Sequence, residues 1–86
     1  MIFLINVEFY IVNNVKDLEY IKRFGINLKQ VRTSKKISQE VLAYSADIPI
    51  SQVGRIERGE INTTISSVKA IAIALNIQIK ELFEFE

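Results

Sequence analysis

Pro49 is the only proline in the chain, and it constrains the fold more than any other single residue. Its ring fixes φ at about −65° and removes a backbone donor, so a helix accepts it at the first position and nowhere deeper. Any helix before Pro49 must end ahead of it, and a new one starts there. Ser38 is a good N-cap for the helix on the near side, which runs from Gln39 to about Ala46 and buries Val41, Leu42 and Ala46. Asp47-Ile48-Pro49 breaks it. The next helix is expected from Pro49 to Arg58, where Gly59 stops it as a left-handed C-cap.

The flanking segments read as follows. Asp17 or Asn14 caps a long first helix, whose apolar stripe is Leu18, Ile21, Phe24, Leu28 and Val31 at three- and four-residue steps. Gly25 weakens that pattern locally. Thr64 caps a fourth helix that buries Val68, Ile71, Ala72 and Leu75, and Ile77 to Phe83 forms a short fifth with Leu82 and Phe83 inward. Ahead of all these, Ile5, Val7, Phe9 and Ile11 alternate with Asn6, Glu8 and Tyr10 at a strand's period of two, ended by Asn13-Asn14. A lone strand needs a partner. The candidates are its own copy in a second chain or the Phe83-Glu84-Phe85-Glu86 end. The expected class is therefore all-α: five helices preceded by a short N-terminal β-strand, with residues 1–16 as an extension and 17–86 as the domain.

With 86 residues there is room for one core. Cysteine and histidine are both absent, which excludes a disulfide framework, a Cys/His zinc site, a thiol nucleophile and a histidine base. The glycines make no phosphate loop and the carboxylates are scattered or paired with cations, so an enzyme is not expected. No cofactor or metal is expected either. The net charge is +1, yet Lys22, Arg23, Lys29, Arg32, Lys35 and Lys36 fall together without an acid among them. Such a block suits either a polyanion partner or a solvated helix face. The oily start has neither the basic flank nor the small-residue end of a signal peptide and is too short to span a bilayer. The expectation is a soluble, cytoplasmic protein without a membrane partner.

Two short helices joined by a tight turn, the second stopped by glycine, follow the helix-turn-helix plan, in which the second helix stands proud enough to enter a DNA major groove. The segments IKRFGINLKQVR, KKISQEVLAYSADIPISQVGRIERGE and INTTISSVKAIAIALNIQIKELF carry this plan. Together they resemble the Cro/lambda-repressor-like helix-turn-helix family, often called XRE. The resemblance implies a five-helix lambda-repressor-like domain and a transcriptional regulator, such as a repressor, that binds double-stranded DNA as a homodimer. Its recognition helix would be about residues 49–58.

Carried over by position, the resemblance makes Gln39 a residue that bonds a DNA phosphate or the recognition helix. It sets Ile50, Ser51 and Arg55 against bases or neighbouring phosphates, and Arg58 and the Glu60 to Thr64 loop against the backbone beyond. It makes Arg32 and Glu57 a structural pair tying the first helix to the recognition helix. Arg55 is the preferred direct reader, because its planar fork matches guanine O6 and N7. Ser51 serves as a contact or as a plain helix cap, and Ile50 meets a thymine methyl or sits at the rim. Lys36 contributes general field charge. Three positions depart from the family pattern: Ile50 stands where a polar residue is usual, Asp47 where glycine is common, and Pro49 where a capping Ser or Thr is common. A second function class is an interaction module whose helix-turn-helix body is a scaffold for a protein partner, such as the toxin of a toxin–antitoxin pair.

Overall fold

Capping side chains set where the helices begin. Asp17, Ser38 and Thr64 are each extended, and each accepts a hydrogen bond from the backbone N–H three residues on: Tyr20 at 3.0 Å, Val41 at 3.1 Å and Ser67 at 3.1 Å. The computed structural model describes residues 17–85. They form α1 (Leu18–Ser34), α2 (Gln39–Ala46), α3 (Ile50–Glu57), α4 (Ile65–Leu75) and a closing 3₁₀ helix, Ile79–Phe83.

All four α-helices end in the same way. Lys36, Asp47, Gly59 and Asn76 take left-handed φ values of 59°, 58°, 71° and 57°. In each case the next amide bonds back five residues: Ile37 to the Arg32 carbonyl, Ile48 to Ala43, Glu60 to Arg55 and Ile77 to Ala72, at 2.9–3.2 Å. This is the Schellman ending, which satisfies carbonyls that a helix end otherwise leaves bare. After α1, α2 and α4 the returning residue is an isoleucine packed against the core, so each turn is held by an apolar contact as well as a hydrogen bond. Asp47 thus performs the left-handed turn that a glycine would make more cheaply, by roughly 1 kcal/mol.

The core consists of Phe24 and Leu28 from α1, Leu42, Ala43 and Ala46 from α2, Val53 and Ile56 from α3, Val68, Ile71, Ala72 and Leu75 from α4, and Leu82. α2 packs against both α3 and α4, α1 packs against α3, and the 3₁₀ helix closes over α1 and α4. Asn27 on α1 fixes that last element by donating from Nδ2 to the carbonyls of Glu81 (3.0 Å) and Leu82 (2.9 Å).

Several expectations change. Among the described residues four α-helices are present rather than five. The Schellman turn uses Ile77, and the Glu81 carboxylate accepts the Gln78 N–H at 2.9 Å, leaving five residues, too few for more than a 3₁₀ turn. Pro49 and Arg58 flank α3 as its caps rather than belonging to it. Val41 is exposed, because Leu42, Ala43 and Ala46 set the inward face of α2 and Val41 falls outside their arc. Leu18 is also exposed, and Phe83 is 39% exposed with its ring 4.9 Å from that of Phe24. Among the described residues there is no strand, and Phe83 to Phe85 do not form one. The strand expected over Ile2 to Val12, and the 1–16 extension, lie outside the described residues.

Gly25 is a contact point rather than a weakness. A Cβ built there would stand 2.3 Å from the Ile56 carbonyl oxygen and 2.6 Å from that of Glu57. The backbones of α1 and α3 touch at this residue, and only glycine allows it. Helix propensity alone predicts that Gly25→Ala stabilises by about 1 kcal/mol. The contact reverses the sign: the expected result in urea unfolding is a loss of about 1–3 kcal/mol, as α1 and α3 are pushed apart.

Candidate nucleic-acid interface

The side of α3 that packs on α1 and α2 carries Val53, Ile56 and Glu57. Its opposite side carries Ser51, Arg55 and Arg58. Steps of four and three residues put these on one face, and all three are exposed. Ile50, 47% exposed, stands at the edge of the same face. Pro49 offers no side-chain cap, so hydroxyl capping at this helix start is unavailable, and Ser51, one residue inside, is left pointing outward.

Behind this face lies a buried ion pair. Arg32 Nε donates to Glu57 Oε2 at 2.6 Å and Arg32 Nη2 to Glu57 Oε1 at 3.0 Å, the two-point geometry that makes arginine–carboxylate pairs strong. Their side chains are only 8% and 2% exposed. Arg32 Nη1 donates to the Ile37 carbonyl at 2.8 Å, and Gln39 Nε2 donates to Glu57 Oε1 at 2.9 Å. Glu57 on α3 thereby binds the end of α1 and the start of α2, and Arg32 ties in the turn between them. The orientation of α3 is set by a polar knot as well as by the core.

The remaining candidates are dispersed. Gln39 is engaged with Glu57 and so faces α3. Lys36 is exposed in the α1–α2 turn. Thr64 caps α4, its Oγ1 also bonded to Ser67 Oγ at 3.1 Å. Of the basic block, Arg32 is internal and Arg23 pairs with Glu19 at 3.2 Å. Lys22, Lys29, Lys35 and Lys36 remain exposed, without an ion-pair partner among the described residues. The stem of Lys22 lies beside Gly59, against the end of α3, a placement that its position in the sequence gave no sign of.

Glu60, the first residue of the loop to Thr64, pairs with the arginines of the outward face. Its Oε2 accepts from Arg58 Nε at 2.8 Å, its Oε1 from Arg58 Nη2 at 3.3 Å, and Arg55 Nε lies 3.8 Å from Oε1. The hydrogen bond from Arg58 holds the Glu60 carboxyl below the usual carboxylate range, and the same bond raises the Arg58 guanidinium. Because the folded carboxyl titrates below its unfolded value, this link is present at neutral pH and is lost only as pH falls through the lowered value.

On another side, an apolar groove of about 280 Å³ is lined by Tyr20, Phe24, Ile65, Val68, Ile79 and Phe83. Ile65 and Ile73 on α4 are 88% and 67% exposed. Among the described residues, no cluster could hold a metal ion and no helix is long and apolar enough to cross a membrane.

Comparison with known proteins agrees with this geometry. The family model HTH_3 (Helix-turn-helix) matches residues 28–82. The control protein C.BamHI of Bacillus amyloliquefaciens is 36% identical over 74 residues, covering 85% of each chain. The immunity repressor protein of Bacillus phage phi105 is 34% identical over 58 residues, 67% of this chain and 40% of that one. The crystal structure of the restriction-modification controller protein C.AhdI from Aeromonas hydrophila is similar with a TM-score of 0.72 and 40% identity, over 73% of this chain and 96% of that one. The chain belongs to the HTH_3, or XRE-type, helix-turn-helix family of DNA-binding transcriptional regulators.

Proposed function

We propose that this protein is a sequence-specific regulator of the restriction-modification controller kind. It acts in the cytoplasm as a homodimer, with α3 of each subunit in the major groove of double-stranded DNA. The observation that carries this reading is the outward face of α3: Ser51, Arg55 and Arg58 in one stripe on a helix clamped from behind by Arg32, Glu57 and Gln39. The names of its relatives, a control protein and a restriction-modification controller protein, favour that role. Arg55 reads a base through its fork, Ser51 and Ile50 contact the groove nearby, and Lys36, Arg58 and the loop to Thr64 meet the backbone. The test is selection of bound oligonucleotides from a random pool, followed by substitution on the selected site. Arg55→Ala is expected to lose about 1–3 kcal/mol and relax the choice at one base pair, whereas Lys36→Ala weakens all sequences about equally. A uniform loss from Arg55→Ala would make Arg55 a phosphate contact instead.

One helix reads too few base pairs for useful specificity, and a two-fold dimer sets two of them about 34 Å apart on successive turns. The groove beside Ile79 and Phe83, with Ile65 and Ile73 exposed near it in sequence, offers the apolar surface that such a dimer needs. Ile2 to Val12 are a second apolar stretch in the sequence, and removing them tests whether they take part in the interface. Deleting residues 1–13 is expected to lower the dimer mass measured by light scattering across dilution. An unchanged dimer with unchanged melting would show that the segment takes no part.

A further inference from the structure

An acid beside a DNA-facing helix works against its phosphates, yet Glu60 stands at the end of α3 between the two arginines of the outward face. It grips Arg58 at two points, 2.8 and 3.3 Å, and reaches to 3.8 Å from Arg55. Gly54 lies beside this arrangement. A Cβ built there would stand 2.9 Å from Arg58 Nη1, so the missing side chain leaves the place where the guanidinium lies back along α3. The arginine lies along its own helix while its side chain stays 60% exposed.

A carboxylate and a phosphate ask the same thing of an arginine: two parallel acceptors for its fork. We propose that Glu60 is an intramolecular competitor for DNA phosphate, occupying the fork of Arg58 in the free protein so that every duplex must displace it before Arg58 can make a backbone contact. This rests on the reading of α3 as the DNA-facing helix. The pair is solvent-exposed, and an exposed pair is weak enough for phosphate to displace. It acts as a brake rather than a lock. The brake falls on the sequence-independent part of binding, which matters because chromosomal DNA offers a vast excess of non-specific sites.

The test is a double-substitution cycle of Glu60→Gln and Arg58→Ala, with binding to a short mixed-sequence duplex read by fluorescence anisotropy at fixed salt. Glu60→Gln is expected to tighten binding about three- to fivefold, and most of that gain disappears when Arg58 is already alanine. An equal gain in both backgrounds would make Glu60 a general field charge and overturn the proposal. So would no gain, or a loss. A second measurement needs no DNA: the Glu60 carboxyl, followed by NMR, is expected to titrate closer to the ordinary carboxylate range in Arg58→Ala, and an unchanged titration would overturn the grip itself. A wild-type protein that binds no duplex would overturn the DNA reading and the brake together, and it is told apart from the other outcomes because it needs no variant.

Discussion

Glu57→Ala is expected to lower the unfolding free energy by about 3–5 kcal/mol, the scale for removing one partner of a buried ion pair. The carboxylate is 2% exposed and receives three donors, two from Arg32 and one from Gln39. Alanine leaves the Arg32 guanidinium buried with only the Ile37 carbonyl to accept from it, and it strands the Gln39 amide. A domain with the usual reserve of about 5–15 kcal/mol would then be near its limit. Urea unfolding measures the loss directly. Arg32→Ala should cost about as much, since it leaves the acid buried instead. Replacing both partners by apolar residues, Arg32→Met with Glu57→Leu, is expected to recover most of the loss, because neither charge then remains unpaired. A double replacement as unstable as Glu57→Ala alone would mean that the bonds to Ile37 and Gln39, rather than the ion pair, hold α3 in place. The same variants bear on function, because the knot sets the angle at which α3 leaves the body.

How far this arrangement could be read from sequence depends on how local each cause is. Helix starts were legible, since a cap acts within three residues: Ser38 and Thr64 do what their chemistry suggests. The inward side of α4 was legible for the same reason, its period being unbroken. Helix ends were partly legible. Gly59 announced itself, but the left-handed Lys36 and Asn76 did not, although each is a polar residue followed by a core-seeking isoleucine that closes the turn. The long-range causes were hidden. Gly25 looks like a flaw in a helix until the backbone of α3 is placed 2.3 Å from where its Cβ would be. Val41 looks apolar and inward until Leu42, Ala43 and Ala46 fix the face that packs. Charge alone counts six cations in the basic block; only the family resemblance set Arg32 apart as the partner of Glu57, and the fold withdraws it into the interior. Glu60 could be suspected from the run Arg55, Arg58, Glu60, but its two-point grip on Arg58 shows only in the fold.

The account stands on the outward face of α3 and the exposed lysines of the basic block meeting the phosphates of a duplex, and the dependence of affinity on salt tests this most directly. Each phosphate neutralised by a lysine or arginine releases condensed counterions, so log Kd rises linearly with log salt at a slope set by the number of contacts. Arg55, Arg58, Lys22, Lys29, Lys35 and Lys36 are exposed, enough for the proposed dimer to make about six to ten such contacts. Titrating the wild-type protein into a duplex carrying its selected site, between about 50 and 200 mM salt, is expected to weaken binding by roughly three to five decades. A flat dependence over that range would contradict the account.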